Sequence, residues 1–328
     1  MRELVTELAL GLREHVLPFL GAHTGRAHVN AGAGGDVTFA IDSEAEQFLE
    51  RFLAERAPEV AFYSEDRGLV RPRTKTGDLQ ADRPVAEGRE WVLVVDPIDG
   101  TRPALAGFEA SCVSVAAAPF GDGAPSMADV EIGVVAEIKT GALFAAERGG
   151  GIEVRNPDGT TAPVSLSGNT ELSRMFWTLG FRGRPALPLV TVLEELIDTS
   201  SVGGAVFDLG SATYDLTRVV TGQLDAYLDV GTRIIEETPA LRERFEEVGG
   251  GAVLNNSPYD LAAAVLCVEE AGAIVSDAHG GPLTDRPLLG SGHDYQMSCV
   301  AAANEALHGL ILEALERGFG RLRPGALE

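Results

Sequence analysis

The run Trp91-Val92-Leu93-Val94-Val95 passes without a linker into Asp96-Pro97-Ile98-Asp99-Gly100-Thr101. A continuous apolar run, with charge before it and Asp-Pro after it, predicts a strand buried on both faces. The rest of the chain must then cover both sides of the sheet that this strand joins. The strand ends in two carboxylates three residues apart, with Pro97 fixing the backbone between them. Asp96 and Asp99 can converge on one point, and the carbonyl of Ile98 lies between them as a third oxygen. Oxygen-only ligands on a rigid turn suit a hard divalent cation such as Mg2+, which keeps waters and takes further ligands from a substrate phosphate. Gly100 and Thr101 present backbone N–H groups at the same turn, a ready cradle for a phosphate. Taken alone, Asp-Pro-x-Asp-Gly is also an ordinary turn sequence, and a loop Asp pair is a common helix cap. Its company matters. Ser64-Glu65-Asp66 ends another short strand, Ser257-Pro258-Tyr259-Asp260 opens a helix, and Asp42 precedes the capping-box pattern Ser43-Glu44-Ala45-Glu46. Asp42 and Asp260 also fit as charges favoured at helix N-termini, and Glu65 as a solvated loop charge.

Apolar periodicity predicts a helix from Arg2 to about Leu20 and another after Ser43, ended by Pro58. The glycine-rich stretch Asn30–Gly35 and the polar residues 70–90 are expected to be loops. Strands are expected at Val60–Tyr63, Cys112–Ala118, Ile132–Ile138 and Ala142–Ala146, the last two joined by a turn at Lys139–Gly141. Residues 152–185 are weakly patterned. From Leu187 onward helices and strands alternate, which argues for a parallel or mixed sheet. The final helix is expected over Glu305–Leu315. With about 150 residues as the usual domain size, two domains are expected. They are an N-terminal α+β part, 1–185, and a C-terminal α/β part, 186–328.

The 328 residues carry 26 Lys+Arg against 49 Asp+Glu, a net charge of −23. Such a surplus disfavours nucleic-acid polymers and anionic membrane surfaces as partners. No apolar stretch is long enough to cross a bilayer, and Glu3, Glu7, Arg13 and Glu14 break up any signal-peptide pattern. Cys112, Cys267 and Cys299 stand singly in apolar runs, as expected of reduced thiols in the cytoplasm. No His has ligand spacing with another His or Cys. Gly149-Gly150-Gly151 lacks the Lys-Ser/Thr of a P-loop.

With these motifs in this order, the chain resembles the inositol monophosphatase superfamily of Mg2+-dependent, often lithium-sensitive phosphatases. The superfamily's Asp-Pro-Ile/Leu-Asp-Gly-Thr/Ser signature matches Asp96–Thr101, its acidic pair matches Glu65-Asp66, and its Trp-Asp-x-Ala-Ala-Gly matches Tyr259–Ala264. Val268–Gly272, Asp277–Gly281, Gly210-Ser211-Ala212, Asp225–Asp229, and Gly34–Thr38 through Asp42 and Glu46 resemble further family segments. Tyr259 stands for the usual Trp, Ala264 for Gly, and Arg102-Pro103 where Asn-Phe is usual nearby. The interval from Gly231 to Asn256, with a charged helical piece over Pro239–Val248, is longer than in the monophosphatases. It is expected to be a lid, part of a dimer interface, or a surface excursion.

The resemblance implies a layered αβαβα sandwich, with two sheets between helical layers, and commonly a homodimer. It implies that Glu65, Asp96 and the Ile98 carbonyl hold one Mg2+, that Asp96, Asp99 and Asp260 hold a second, and that Asp42 lies near a weaker third. Glu65 and Thr101 would orient and deprotonate the attacking water. Gly100, Thr101, Gly210, Ser211 and Ala212 would receive phosphate and substrate groups, and Asp229 a substrate hydroxyl. Arg102 meets either a second anionic group of the substrate or a surface ion pair. The leading expectation is a phosphomonoesterase for a small polyol or sugar phosphate. The alternatives are a phosphatase for fructose 1,6-bisphosphate, a 3'-phosphorylated nucleotide or histidinol phosphate, and a silent sensor of a phosphorylated ligand.

Overall fold

Val5, Leu8, Leu12 and Val16 recur at helical spacing, and all four are buried on one face of α1 (Arg2–Val16). The computed structural model describes residues 1–22, 28–31, 37–71, 90–121 and 123–322. After α1 come the hairpin strands β1 (His28–Ala31) and β2 (Val37–Phe39), α2 (Ala40–Arg56), β3 (Ala61–Ser64) and β4 (Gly68–Val70). Then follow β5 (Trp91–Asp99), α3 (Thr101–Ala106), β6 (Cys112–Pro119), β7 (Ile132–Glu137), β8 (Leu143–Glu147), β9 (Gly151–Arg155) and β10 (Thr161–Ala162). Strands β3 to β10 form an eight-stranded sheet in the order β10-β9-β8-β7-β6-β5-β3-β4, with β3 and β5 its parallel pair.

The second half contains β11 (Phe176–Leu179), α4 (Ala186–Ser200), β12 (Ala205–Phe207), α5 (Ala212–Val220), β13 (Ala226–Asp229), α6 (Gly231–Glu237) and α7 (Arg242–Val248). It closes with α8 (Pro258–Glu270), β14 (Ile274–Ser276), β15 (Cys299–Ala302) and α9 (Glu305–Leu322). Its five-stranded sheet runs β12-β11-β13-β15-β14. The β11 pairings with β12 and β13 are parallel, and those of β15 are antiparallel.

Alternation along β5 sets the layers. Leu93 and Val95 face α1 and α2, while Val92 and Val94 face a core shared with α8 and with Tyr227 and Ala301 of the second sheet. The far face of the second sheet, Trp177, Leu228 and Val300, packs on α4, α6, α7 and α9. The order is therefore helix, sheet, helix, sheet, helix. The expected αβαβα sandwich and the strand covered on both faces are both present. Among the described residues, no helix is long and apolar enough to cross a membrane.

Four local expectations change. Helix α2 begins at Ala40, three residues before the Ser43 pattern, because Asp42 itself accepts the Phe39 N–H (2.8 Å) and closes the first turn. Helix α9 runs past Leu315 through Gly318. A side chain at Gly318 would overlap the Val192 carbonyl, so this glycine permits close packing of α9 on α4 and does not end the helix. The interval 231–256 is not a mere surface excursion, since Ile234, Ile235, Phe245 and Val253 belong to the second sheet's core. Asn30 and Ala31, expected in a glycine-rich loop, end strand β1; residues 32–35 of that segment and 72–89 of the other expected loop lie outside the described residues.

Candidate metal centre

The turn after β5 is built by its own residues. The β5–β6 register shifts between Asp96 and Asp99, where Pro97 has no N–H to give to the ladder. Asp96 Oδ1 accepts the Ile98 N–H at 3.0 Å. Gly100 then takes φ +85°, and a Cβ there would lie 2.5 Å from the Ala110 carbonyl oxygen and 2.8 Å from Ser211 Cβ. Only glycine fits the turn. Helix α3 starts at Thr101, whose Oγ1 lies 3.1 Å from both Asp42 Oδ1 and the Ile98 carbonyl oxygen.

A third carboxylate arrives from α8. Pro258 opens that helix, and Asp260 in its first turn accepts the Ser257 N–H at 2.6 Å. Carboxylate oxygens of Asp96, Asp99 and Asp260 lie within 4.8 Å of one another. The N-terminus of α5 holds two of the three. Asp99 Oδ2 accepts the Ser211 hydroxyl (2.8 Å) and the Thr213 N–H (2.6 Å), and the Thr213 hydroxyl donates to the Asp260 carbonyl (2.9 Å). Glu65 lines the same open cavity of about 330 Å3, together with Ile98, Gly100, Thr101, Arg102 and Arg182. Asp42 stands behind Thr101.

Burial and like charge act together here. Burial, followed by the charges of Glu65, Asp99 and Asp260, pushes Asp96 well above the usual carboxylate range. Burial raises Asp99 against the donors of Thr213 and Ser211. Asp260 is pushed up to about 8, by burial and then by Asp99. Burial and mutual repulsion disfavour the charged form at all three, and a divalent cation is the partner that lets all of them ionise at once. The donor set is oxygen only, which fits Mg2+, Mn2+ or Ca2+ better than a softer ion.

An adjoining cavity of about 470 Å3 shares Asp99, Arg182, Gly210 and Asp260 with the first. Gly210, Ser211 and Ala212 line it, alongside Arg184, Asp208, Asn255 and Asn256. Asp229 does not face it. This carboxylate is fully buried, ion-paired with Arg184, and accepts the Gly231 N–H at 2.9 Å, so the group presented to the cavity is Arg184. Sequence reasoning missed Arg182, Arg184, Asn255 and Asn256. The available signal was Arg182-Gly183-Arg184, two cations close together in a chain poor in them.

Residues 2–318 match the inositol monophosphatase family. A fructose-1,6-bisphosphatase/inositol-1-monophosphatase of Methanothermobacter thermautotrophicus is 28% identical over 303 residues, covering 92% of this chain and 91% of that one. An inositol-1-monophosphatase of Mycobacterium leprae is 30% identical over 311 residues, covering 93% and 86%. The crystal structure of the extragenic suppressor protein SuhB from Bartonella henselae superposes with a TM-score of 0.67 at 21% identity, covering 96% of this chain and 98% of that one.

Proposed function

This chain belongs to the inositol monophosphatase family of metal-dependent phosphoric monoester hydrolases, and from that premise we propose that it hydrolyses the phosphate ester of a small polyol or sugar with Mg2+. The observation that carries this reading is the convergence of Asp96 and Asp99, both buried, with the half-buried Asp260, mutually repelling and held from behind by α5. Glu65, Asp96 and the Ile98 carbonyl would hold one ion, Asp96, Asp99 and Asp260 would hold a second, and Asp42 would lie near a weaker third. Bound there, the ions supply positive charge against the phosphoryl and leaving oxygens.

The chain's own residues do the rest. The Thr101 hydroxyl gives its single proton to Asp42 or to the Ile98 carbonyl, which leaves a lone pair to orient the attacking water. Glu65, on the rim of the same cavity, takes that water's proton. The backbone of Gly100 and Thr101 receives the phosphate, and the alcohol part lies along Gly210, Ser211 and Ala212. The cations Arg182 and Arg184 beside that strip favour a second reading, in which the substrate carries a second anionic group, as a sugar bisphosphate does. Three buried free cysteines support a reducing, cytoplasmic setting. The family resemblance supports a homodimer.

The test is phosphate release from a panel with Mg2+ or EDTA. The panel holds inositol 1-phosphate, sugar monophosphates, fructose 1,6-bisphosphate, a 3'-phosphorylated nucleotide and histidinol phosphate. Mg2+-dependent release from a polyol or sugar ester supports the reading. Release from none of them overturns it.

A further inference from the structure

We propose that Glu46 is a positioning residue that acts through Ser64 and Asp66 to hold the Glu65 carboxylate at the acidic cluster. The proposal rests on the reading of that cluster as a metal centre. Glu46 lies on α2 four residues after Asp42, so both side chains leave the helix on the same face. Asp42 meets Thr101 on the turn after β5. Glu46 reaches the turn after β3. Its Oε2 accepts the Ser64 hydroxyl at 2.9 Å, and its Oε1 lies 3.4 Å from the Asp66 N–H. The residues on both sides of Glu65 are thus tied to one carboxylate, and the Arg67 N–H, 3.4 Å from Ser64 Oγ, tightens the same turn. These bonds fix the backbone on both sides of Glu65, whose carboxylate lines the same cavity as Asp96.

Glu46 is 2% exposed. A carboxylate buried so close to other carboxylates is a costly way to fill space, and an apolar residue of similar volume would pack at less expense. What the apolar residue lacks is two acceptor oxygens set to receive a hydroxyl and an amide from either side of a ligand. Helix α2 is therefore a brace across the two turns that carry the ligands, with Asp42 on one and Glu46 on the other.

The test is a calorimetric titration of the full-length, EDTA-stripped protein with MgCl2, with no substrate present. Thermal unfolding is followed in parallel for wild type, Glu46→Ala, Glu46→Gln and Asp96→Asn. Removal of a residue that orients a metal ligand typically weakens metal binding about 10–100-fold, and Glu46→Ala is expected to fall in that range. Glu46→Gln should recover most of the loss, because its amide oxygen still accepts from Asp66 and its NH2 can donate to Ser64 Oγ. A merely structural role would lower the unfolding temperature of Glu46→Ala and leave Mg2+ affinity at the wild-type value, and that result overturns the proposal. If Glu46→Ala does not fold, Ser64→Ala removes one tether alone. A several-fold weaker Mg2+ affinity then supports the proposal, and an unchanged one overturns it. Asp96→Asn separates the two readings. If it abolishes binding while Glu46→Ala does not change it, the inference alone fails. If wild type takes up no Mg2+, the metal reading fails and the inference with it.

Discussion

Asp260 titrates near 8 in the folded chain because it is buried beside Asp99, against an ordinary value of 3.8. Between those two values the folded protein holds a proton that the unfolded chain does not. The stability this contributes is complete below about 3.8 and is lost as pH rises through about 8. Asp96 and Asp99 are shifted in the same direction. His308, lowered by burial, works in the opposite sense, but only below its ordinary 6.5. The metal-free protein is therefore expected to melt at a higher temperature at about pH 7 than at about pH 8.5. Mg2+ should raise the melting temperature more at the higher pH, where fewer protons compete for the cluster. Thermal unfolding with EDTA and with Mg2+ checks both, and a metal-free protein that melts lower at pH 7 contradicts the assignment. At this scale the sequence was legible where one side chain does one job in one short motif, as in Asp96, Asp99 and Gly100. It was not legible for Asp229, because nothing in Asp225–Asp229 reveals that Arg184, 45 residues earlier in the chain, neutralises that carboxylate.

Helix α5 matters because its N-terminus faces the Asp99 carboxylate, and the turn after β5 matters because Gly100 lets the two meet. Gly100→Ala would place a side chain at φ +85° against the Ala110 carbonyl and Ser211. The backbone strain alone costs about 1–2 kcal/mol, and the overlap adds about 1–3 kcal/mol. The variant is expected to unfold several degrees lower and to release phosphate more than about tenfold more slowly, since the displaced Ser211 is a donor to Asp99. A variant with wild-type stability and activity would show the turn to be tolerant. Elements with one strong apolar signal, the continuous run of β5 or the helical periodicity of α1, were readable from sequence. Strand β11 was not, because Phe176-Trp177-Thr178-Leu179 is short, pairs with strands distant in sequence, and is covered by helices that follow it in the chain. The start of α2 was missed because two overlapping acidic patterns compete for one cap.

Across the whole molecule, the middle layer of α5 and α8 touches both sheets and carries Asp260 and the donors to Asp99. The site exists only when both sheets are in place around it. The interval 231–256 belongs to that architecture, although its charged sequence looks like surface. The residues that decide the matter, Ile234, Ile235 and Phe245, are few and scattered among Arg and Glu. Phe245 is fully buried, and Phe245→Ala is expected to cost about 3–5 kcal/mol, seen as a clear drop in unfolding temperature. An unchanged transition would restore the surface-excursion reading. Against a net charge of −23, the cations Arg102, Arg182 and Arg184 face the two cavities.

The central claim is that the Asp96, Asp99 and Asp260 cluster binds the cation on which hydrolysis depends. The most direct test is phosphate release from the best substrate as Mg2+ is titrated into EDTA-stripped wild type and Asp96→Asn. Wild type should rise from near zero to saturation, and Asp96→Asn, still folded, should stay at least about a thousandfold lower at every Mg2+ concentration. Full activity in EDTA, or a wild-type response from Asp96→Asn, would contradict the account.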